Sequence, residues 1–206
     1  MATALADPPV TPPSPDPAVP DASPSVYTPE DVAAMSNGPH LYELVDGQLL
    51  ERHMSLVGGR VVMQAAHLVL GHLDEHPIAD VVDPETSFRC FPHEPDMLRR
   101  ADLAVLLVER LDDSMLTGIL TIAPDLVVEV VSPGDVMSEV LNKVDDWRRA
   151  GVREVWVIDP VTRRALAFGE AGDRVVNEDE PLVAEHVLPG FARPLRDFLR
   201  VRGPTA

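Results

Sequence analysis

The chain has 206 residues, 45% of them hydrophobic but only 4% aromatic, and a formal charge of −17. That length suffices for one well-buried domain with tails to spare, its core built mainly from aliphatic side chains. So acidic a balance argues against a general nucleic-acid binder, which ordinarily shows a basic stripe, and a single cysteine, Cys90, excludes an internal disulfide or a Cys-rich zinc site.

Residues 1–26 hold eight of the 21 prolines and only scattered small apolar residues, so they are read as a disordered tail ahead of one domain spanning 27–206. "TPEDVAAM" opens a helix, with Thr28 as N-cap, Pro29 at the first helical position and Asp31 in the first turn. "LYELVDGQLLERH" is two short apolar-rich runs around Asp46-Gly47, the signature of a hairpin. Over 56–75, Val62, Ala65, Ala66, Val69 and Leu73 recur at helical spacing, with Gly58 and Gly59 expected to loosen the start. Strands follow at 79–91, 101–110 and 124–133; the last two are almost continuous apolar runs, as in central strands covered on both faces. A second amphipathic helix has Val136, Val140, Val144 and Trp147 as its expected buried stripe and Gly151 as its stop. "EVWVIDP" is a further buried strand, "RRALAFG" its partner across a turn, and a short helix closes the chain. The order predicts an α/β (α+β) domain with a mixed central sheet flanked by helices. No apolar run approaches the roughly 20 residues of a membrane span, and no Lys or Arg precedes Arg52, as a secretory leader would require. A cytoplasmic protein with no membrane partner is expected.

Glu129 interrupts "LVVEVV", where every neighbour favours the interior. A carboxylate there is expensive unless it is paired, protonated or bound to a cation; otherwise it must lie at a strand end and meet water. Asp102 opens the other buried run, "ADLAVLLV", and by itself reads as a strand-start residue. Together the two carboxylates form a natural cage for Mg²⁺ or Mn²⁺, which take oxygen ligands and need only one or two from the protein. The main-chain carbonyl of Val130 could supply a further oxygen. Lys143 is the only lysine, all 16 other basic residues being arginine. It lies on the flank of the second helix's stripe, from where its stem could carry the ammonium back towards the carboxylates. The plain alternative is an i,i+4 pair with Glu139 on a wet face. Glu43, in the hairpin, reads as a solvated strand carboxylate. The seven histidines show no HExxH spacing, and GxSxG, GxxxxGK[ST] and GxGxxG are all absent. Arg99, Arg100, Arg148, Arg149 and Arg153 could form a local basic rim, although most of them read better as solvated partners of Asp145 and Asp146.

"YELVDGQLLE", "RRADLAVLLVE", "APDLVVEVVSPGD", "NKVDDWRRAGVREVWVIDP" and "VLPGF", in that order, resemble the restriction-endonuclease family of the Uma-two type, a branch of the PD-(D/E)xK nuclease-like superfamily. The resemblance covers about residues 27–200. It implies a restriction-endonuclease-like core in which Asp102 matches the "PD" aspartate and Glu129 the (D/E)xK acid. Val131 stands at the usual lysine place, and the match moves to Lys143 on the following helix. Glu43 becomes an accessory acid. Ala101 replaces the motif's proline, Trp147 stands where tyrosine is common, and Gly58 stands where the family often has a histidine. The implied activity is Mg²⁺- or Mn²⁺-dependent hydrolysis of DNA phosphodiesters, with metal on Asp102 and Glu129, Lys143 beside the attacking water, and a homodimer as expected of enzymes that cut two strands. The −17 charge and Gly58 favour a nuclease-fold binding or regulatory protein that does not cut. A metal phosphoesterase acting on a small nucleotide is the third alternative.

Overall fold

Thr28 and Asp31 cap each other at the head of α1 (Pro29–Met35): the Asp31 carboxylate accepts from the Thr28 N–H at 2.8 Å and the Thr28 hydroxyl from the Asp31 N–H at 3.2 Å. The computed structural model describes residues 26–35, 40–115 and 117–200; the proline-rich tail read at 1–26 lies outside them but for Val26. Next come β1 (Leu41–Val45) and β2 (Gln48–Arg52), an antiparallel hairpin. Its turn residues, Asp46 and Gly47, have φ of 51° and 72°, the left-handed pair that a two-residue hairpin turn requires. α2 (Leu56–Leu73) is capped by Ser55, whose hydroxyl accepts from the Gly58 N–H. Gly58 does not loosen this helix: a Cβ there would lie 3.2 Å from Ser55 Oγ and 3.4 Å from Ser132 Oγ, so the glycine is a close approach. By length and composition α2 could pass for a membrane span; its Val61, Val62, Ala65, Val69 and Leu73 pack on the sheet.

That sheet has six strands in sequential order: β3 (Ala79–Val82), β4 (Leu103–Leu107), β5 (Leu126–Val130), β6 (Glu154–Asp159), β7 (Arg164–Gly169) and β8 (Arg174–Asn177). All neighbours are antiparallel except β5 and β6, and the parallel pair needs a crossover, which carries α3 (Met137–Ala150). Gly151 ends α3 at φ 96°. A small pair, β9 (Pro181–Val183) with β10 (Ala192–Pro194), leads into α4 (Leu195–Phe198).

Two further expectations need correction. The strand expected over 79–91 stops at Val82, because Asp83 folds its carboxylate onto the Glu85 N–H and Pro84 offers no donor to a ladder; Phe88 then makes only isolated bridges to Arg99 and Leu120. The expected Val136–Val140–Val144–Trp147 stripe of α3 is rotated. Val136 is the N-cap and 53% exposed, Val140 is half-buried, and the residues turned inward are Lys143, Val144, Asp146 and Trp147. The reason is the sheet beneath. Leu126, Val128 and Val130 point towards α2 and α4, while Val127 and Glu129 point towards α3 by the two-residue alternation of a strand. A carboxylate lies under the helix, so the helix turns its ammonium and indole N–H onto it.

Candidate active site

The register of β4 on β5 pairs Leu103 with Val128, Ala104 with Val127 and Val105 with Leu126. Its next step outward sets Asp102 against Glu129, two buried carboxylates opposite each other on the α3 face. Like charges so placed repel, and the surroundings answer with donors. Asp102 Oδ2 accepts from the Val130 N–H at 2.6 Å and its Oδ1 from Arg52. Glu129 Oε1 accepts from the Trp147 indole N–H at 2.9 Å, and Lys143 Nζ lies 3.0 Å from both of its oxygens. Lys143 and Trp147 are one helical turn apart, so α3 delivers both to one carboxylate.

Glu43 enters from the hairpin, outside the main sheet, and is buried rather than solvated. Its Oε1 accepts from Arg52 at 2.8 Å and from the Arg100 N–H at 3.0 Å, and lies 2.8 Å from Lys143 Nζ; its Oε2 accepts from Arg99 at 2.9 Å. Arg99 also grips Asp146 through Nε at 3.0 Å. The structure thus brings Glu43, Asp102, Glu129 and Lys143 together. The bonds found for Lys143 run inward, to both glutamates and the Arg100 carbonyl, in place of the surface pair with Glu139. Arg99 and Arg100 are buried members of the cluster, whereas Arg148, Arg149 and Arg153 pair with Asp173, Asp146 and Glu170; none of the five forms a basic rim. Val130 contributes its N–H to Asp102.

Two participants were missed. Arg52 closes β2 and reaches Glu43, Asp102 and the Arg100 carbonyl, with Glu129 Oε2 at 3.8 Å. The Arg100 carbonyl accepts from both Arg52 and Lys143 at 2.6 Å. Charge was the one available signal: three buried carboxylates need more than one lysine.

The electrostatics divide the acids. Burial pushes the Glu43 carboxyl up, but Lys143, Arg52 and Arg99 overturn that and hold it well below the usual carboxylate range. Burial likewise raises Glu129, and here Lys143, with the Asp102 charge opposing it, does not reverse the shift. For Arg52, burial would favour deprotonation, yet Glu129, Glu43 and Asp102 keep it charged.

The cluster floors a cleft of about 360 Å³ between the β2 end, the β5 end and the start of α3, with Glu51, Asp135 and Glu139 further out. Residues 29–197 match the Uma2 family, described as "Putative restriction endonuclease". The chain belongs to that family. In fold, this Uma2 chain is similar to a crystal structure of a putative nuclease belonging to DUF820 from Anabaena variabilis, with a TM-score of 0.68 and 16% sequence identity over 77% of this chain and 89% of that one. At that identity the likeness concerns the fold, a mixed six-stranded sheet with helices packed on it. No curated protein matches.

Asp102 and Glu129 offer the oxygen donors that a hard divalent cation takes. The charge between them is at present the Arg52 guanidinium, and among the described residues no group of three or more His, Cys, Asp or Glu is placed to hold a metal ion by itself. The donor set therefore fits such an ion in chemistry, in competition with Arg52.

Proposed function

We propose that this cleft hydrolyses phosphodiester bonds of DNA with a divalent cation, Mg²⁺ or Mn²⁺, held by Asp102 and Glu129. The observation that carries the reading is the convergence of the chain's one lysine with two buried carboxylates on one sheet face. Bound there, such an ion lowers the pKa of water and polarises phosphoryl oxygens. The protein's part is positioning. The Val130 N–H orients Asp102, and the Trp147 indole orients Glu129. Lys143 keeps its ammonium beside Glu129, where it can orient a hydroxide-sized nucleophile or offset charge building on phosphorus. Glu43 fixes Lys143 from the opposite side and is a positioning residue.

Plasmid incubated with the protein in Mg²⁺ or Mn²⁺, beside Glu129→Gln and Lys143→Ala, tests this. Nicking by the wild type that both variants lose supports the proposal; nicking that survives in both overturns it. One observation favours a second reading, a nuclease-fold binding or regulatory module that does not cut. Each oxygen of Asp102 and Glu129 already faces a donor or cation within the protein. A wild type that neither nicks plasmid nor hydrolyses a small phosphodiester such as bis(p-nitrophenyl) phosphate points there, whereas hydrolysis of the small ester alone points to a nucleotide-sized substrate.

A further inference from the structure

We infer that Arg52 is a built-in cation seated where the divalent ion would bind, so that metal loading requires its guanidinium to leave. The inference rests on the reading that Asp102 and Glu129 hold that ion. Charge comes first. Glu43, Asp102, Glu129 and Asp146 supply four negative charges, and the side chains of Arg52, Arg99, Lys143 and, at the outer edge on Asp146 alone, Arg149 supply four positive ones, all within one network of ion pairs. The network is neutral as it stands. Adding a divalent ion would leave two uncompensated positive charges in a largely desolvated place, which is costly. Expelling one monovalent cation halves that excess.

Geometry then selects which cation goes. Arg99 is locked between Glu43 and Asp146, and Lys143 between the two glutamates; their side chains are 8% and 11% exposed. Arg52 is 18% exposed and lines the cleft, at the end of β2 where the chain leaves the hairpin. Its departure strands almost nothing. The Arg100 carbonyl keeps Lys143, Glu43 Oε1 keeps Lys143 and the Arg100 N–H, and Glu129 Oε2 keeps Lys143. The group left without its hydrogen-bond donor is Asp102 Oδ1, and that is an oxygen a metal ion would take. The exchange replaces a guanidinium by a divalent cation at one carboxylate and leaves the rest of the network bonded.

The test is Mn²⁺ binding to the full chain, followed by the loss of the free-ion EPR signal, together with the shift in Tm on adding Mn²⁺. Arg52→Met keeps the stem and removes the charge. It is expected to bind Mn²⁺ at least tenfold more tightly than the wild type and to gain thermal stability with Mn²⁺ in proportion, and the double variant R52M/D102N is expected to lose both effects. Arg52→Lys retains one charge but not the planar fork, so it folds without metal and should lie between the two in affinity; it serves if R52M does not fold. Equal, Asp102-dependent affinity in wild type and R52M overturns the role of Arg52 while leaving the metal site intact. No Mn²⁺ binding by either protein overturns the metal reading and the inference with it. Tighter binding that persists in R52M/D102N places the ion elsewhere and also overturns the inference.

Discussion

Glu43 and Glu129 lie within reach of the same ammonium, yet they come from regions built in different ways. Glu43 sits in a two-stranded hairpin outside the main sheet, joined to the domain by the apolar contacts of Leu44 with Leu98 and Val32 and by charge: Arg99, Arg52, Lys143 and the Arg100 N–H all close on its carboxylate. Beyond those bonds, Leu44 exchanges backbone hydrogen bonds with Leu98. Glu129 sits in β5, with β4 and β6 on either side, flanked along the strand by buried Val128 and Val130. It has one ammonium, one indole N–H, the Arg52 guanidinium only at 3.8 Å, and another carboxylate across the ladder. The same burial is thus outweighed at one glutamate and prevails at the other. A carboxylate surrounded by cations is a clamp; one kept short of them is ready to take a further cation or a proton.

The sharpest way to break this contrast is to neutralise each acid in turn. Glu43→Gln leaves Arg99 and Lys143 short of a buried partner and should cost about 3–5 kcal/mol in urea unfolding, the usual penalty for removing one member of a buried ionic network. Glu129→Gln removes a charge that burial already disfavours while Lys143 keeps Glu43, so its cost should stay within about 1 kcal/mol, the range of an ordinary hydrogen bond. Equal costs would end the distinction between clamp and poised acid.

Acid titration sharpens it. The folded value of Glu43 is depressed below its ordinary 4.5, so its stabilisation is fully present above that pH and is lost as the pH falls through the folded value. Glu129 is raised, so its contribution is full below 4.5 and is lost as the pH rises through its folded value. Urea midpoints followed against pH should therefore lose part of their acid decline in Glu43→Gln. In Glu129→Gln they should lose a small decline on the opposite side. A smaller effect comes from Trp147→Phe, which keeps a ring against Phe88 and Phe91 and removes the donor to Glu129. Lys143 stays beside the same carboxylate, so the loss in urea unfolding should be no more than the roughly 1 kcal/mol of an ordinary hydrogen bond.

The outcome of these comparisons was partly legible in residue order. The interruption of "LVVEVV" by Glu129 and the start of "ADLAVLLV" at Asp102 pointed to one centre because strand alternation and antiparallel register are regular, and two near-continuous apolar runs make adjacent central strands. Asp46-Gly47 placed the hairpin for an equally local reason. The face of α3 was not legible: valines at helical spacing marked one stripe, and tertiary charge chose another by drawing Lys143 and Asp146 inward. Arg52 was invisible for a related reason. Nothing in the spacing of "LLERHMS" marks an arginine that reaches a strand 50 residues away, and its role appears only when the buried charges are summed. Apolar periodicity reports packing, whereas ionic networks are settled by geometry that the chain order does not encode.

Cys90 offers the finest test, since it probes how dry the Glu129 side is. It lies in the segment between β3 and β4 and packs in the same apolar cluster as Phe88, Phe91 and Trp147, the residue whose indole touches Glu129. Burial pushes its thiol up to about 12, so at pH 8 the thiolate fraction is on the order of one in ten thousand, and the thiolate is the reactive form. Native protein should therefore react with Ellman's reagent orders of magnitude more slowly than protein in urea. Glu43→Gln should speed the native reaction, because loosening the hairpin also loosens Arg99, which the same backbone ties to Phe88. Glu129→Gln should leave the rate unchanged. Acceleration by both variants would mean that the two acids support one common cover, and the separation between a charged clamp and a dry, poised carboxylate would then have to be abandoned.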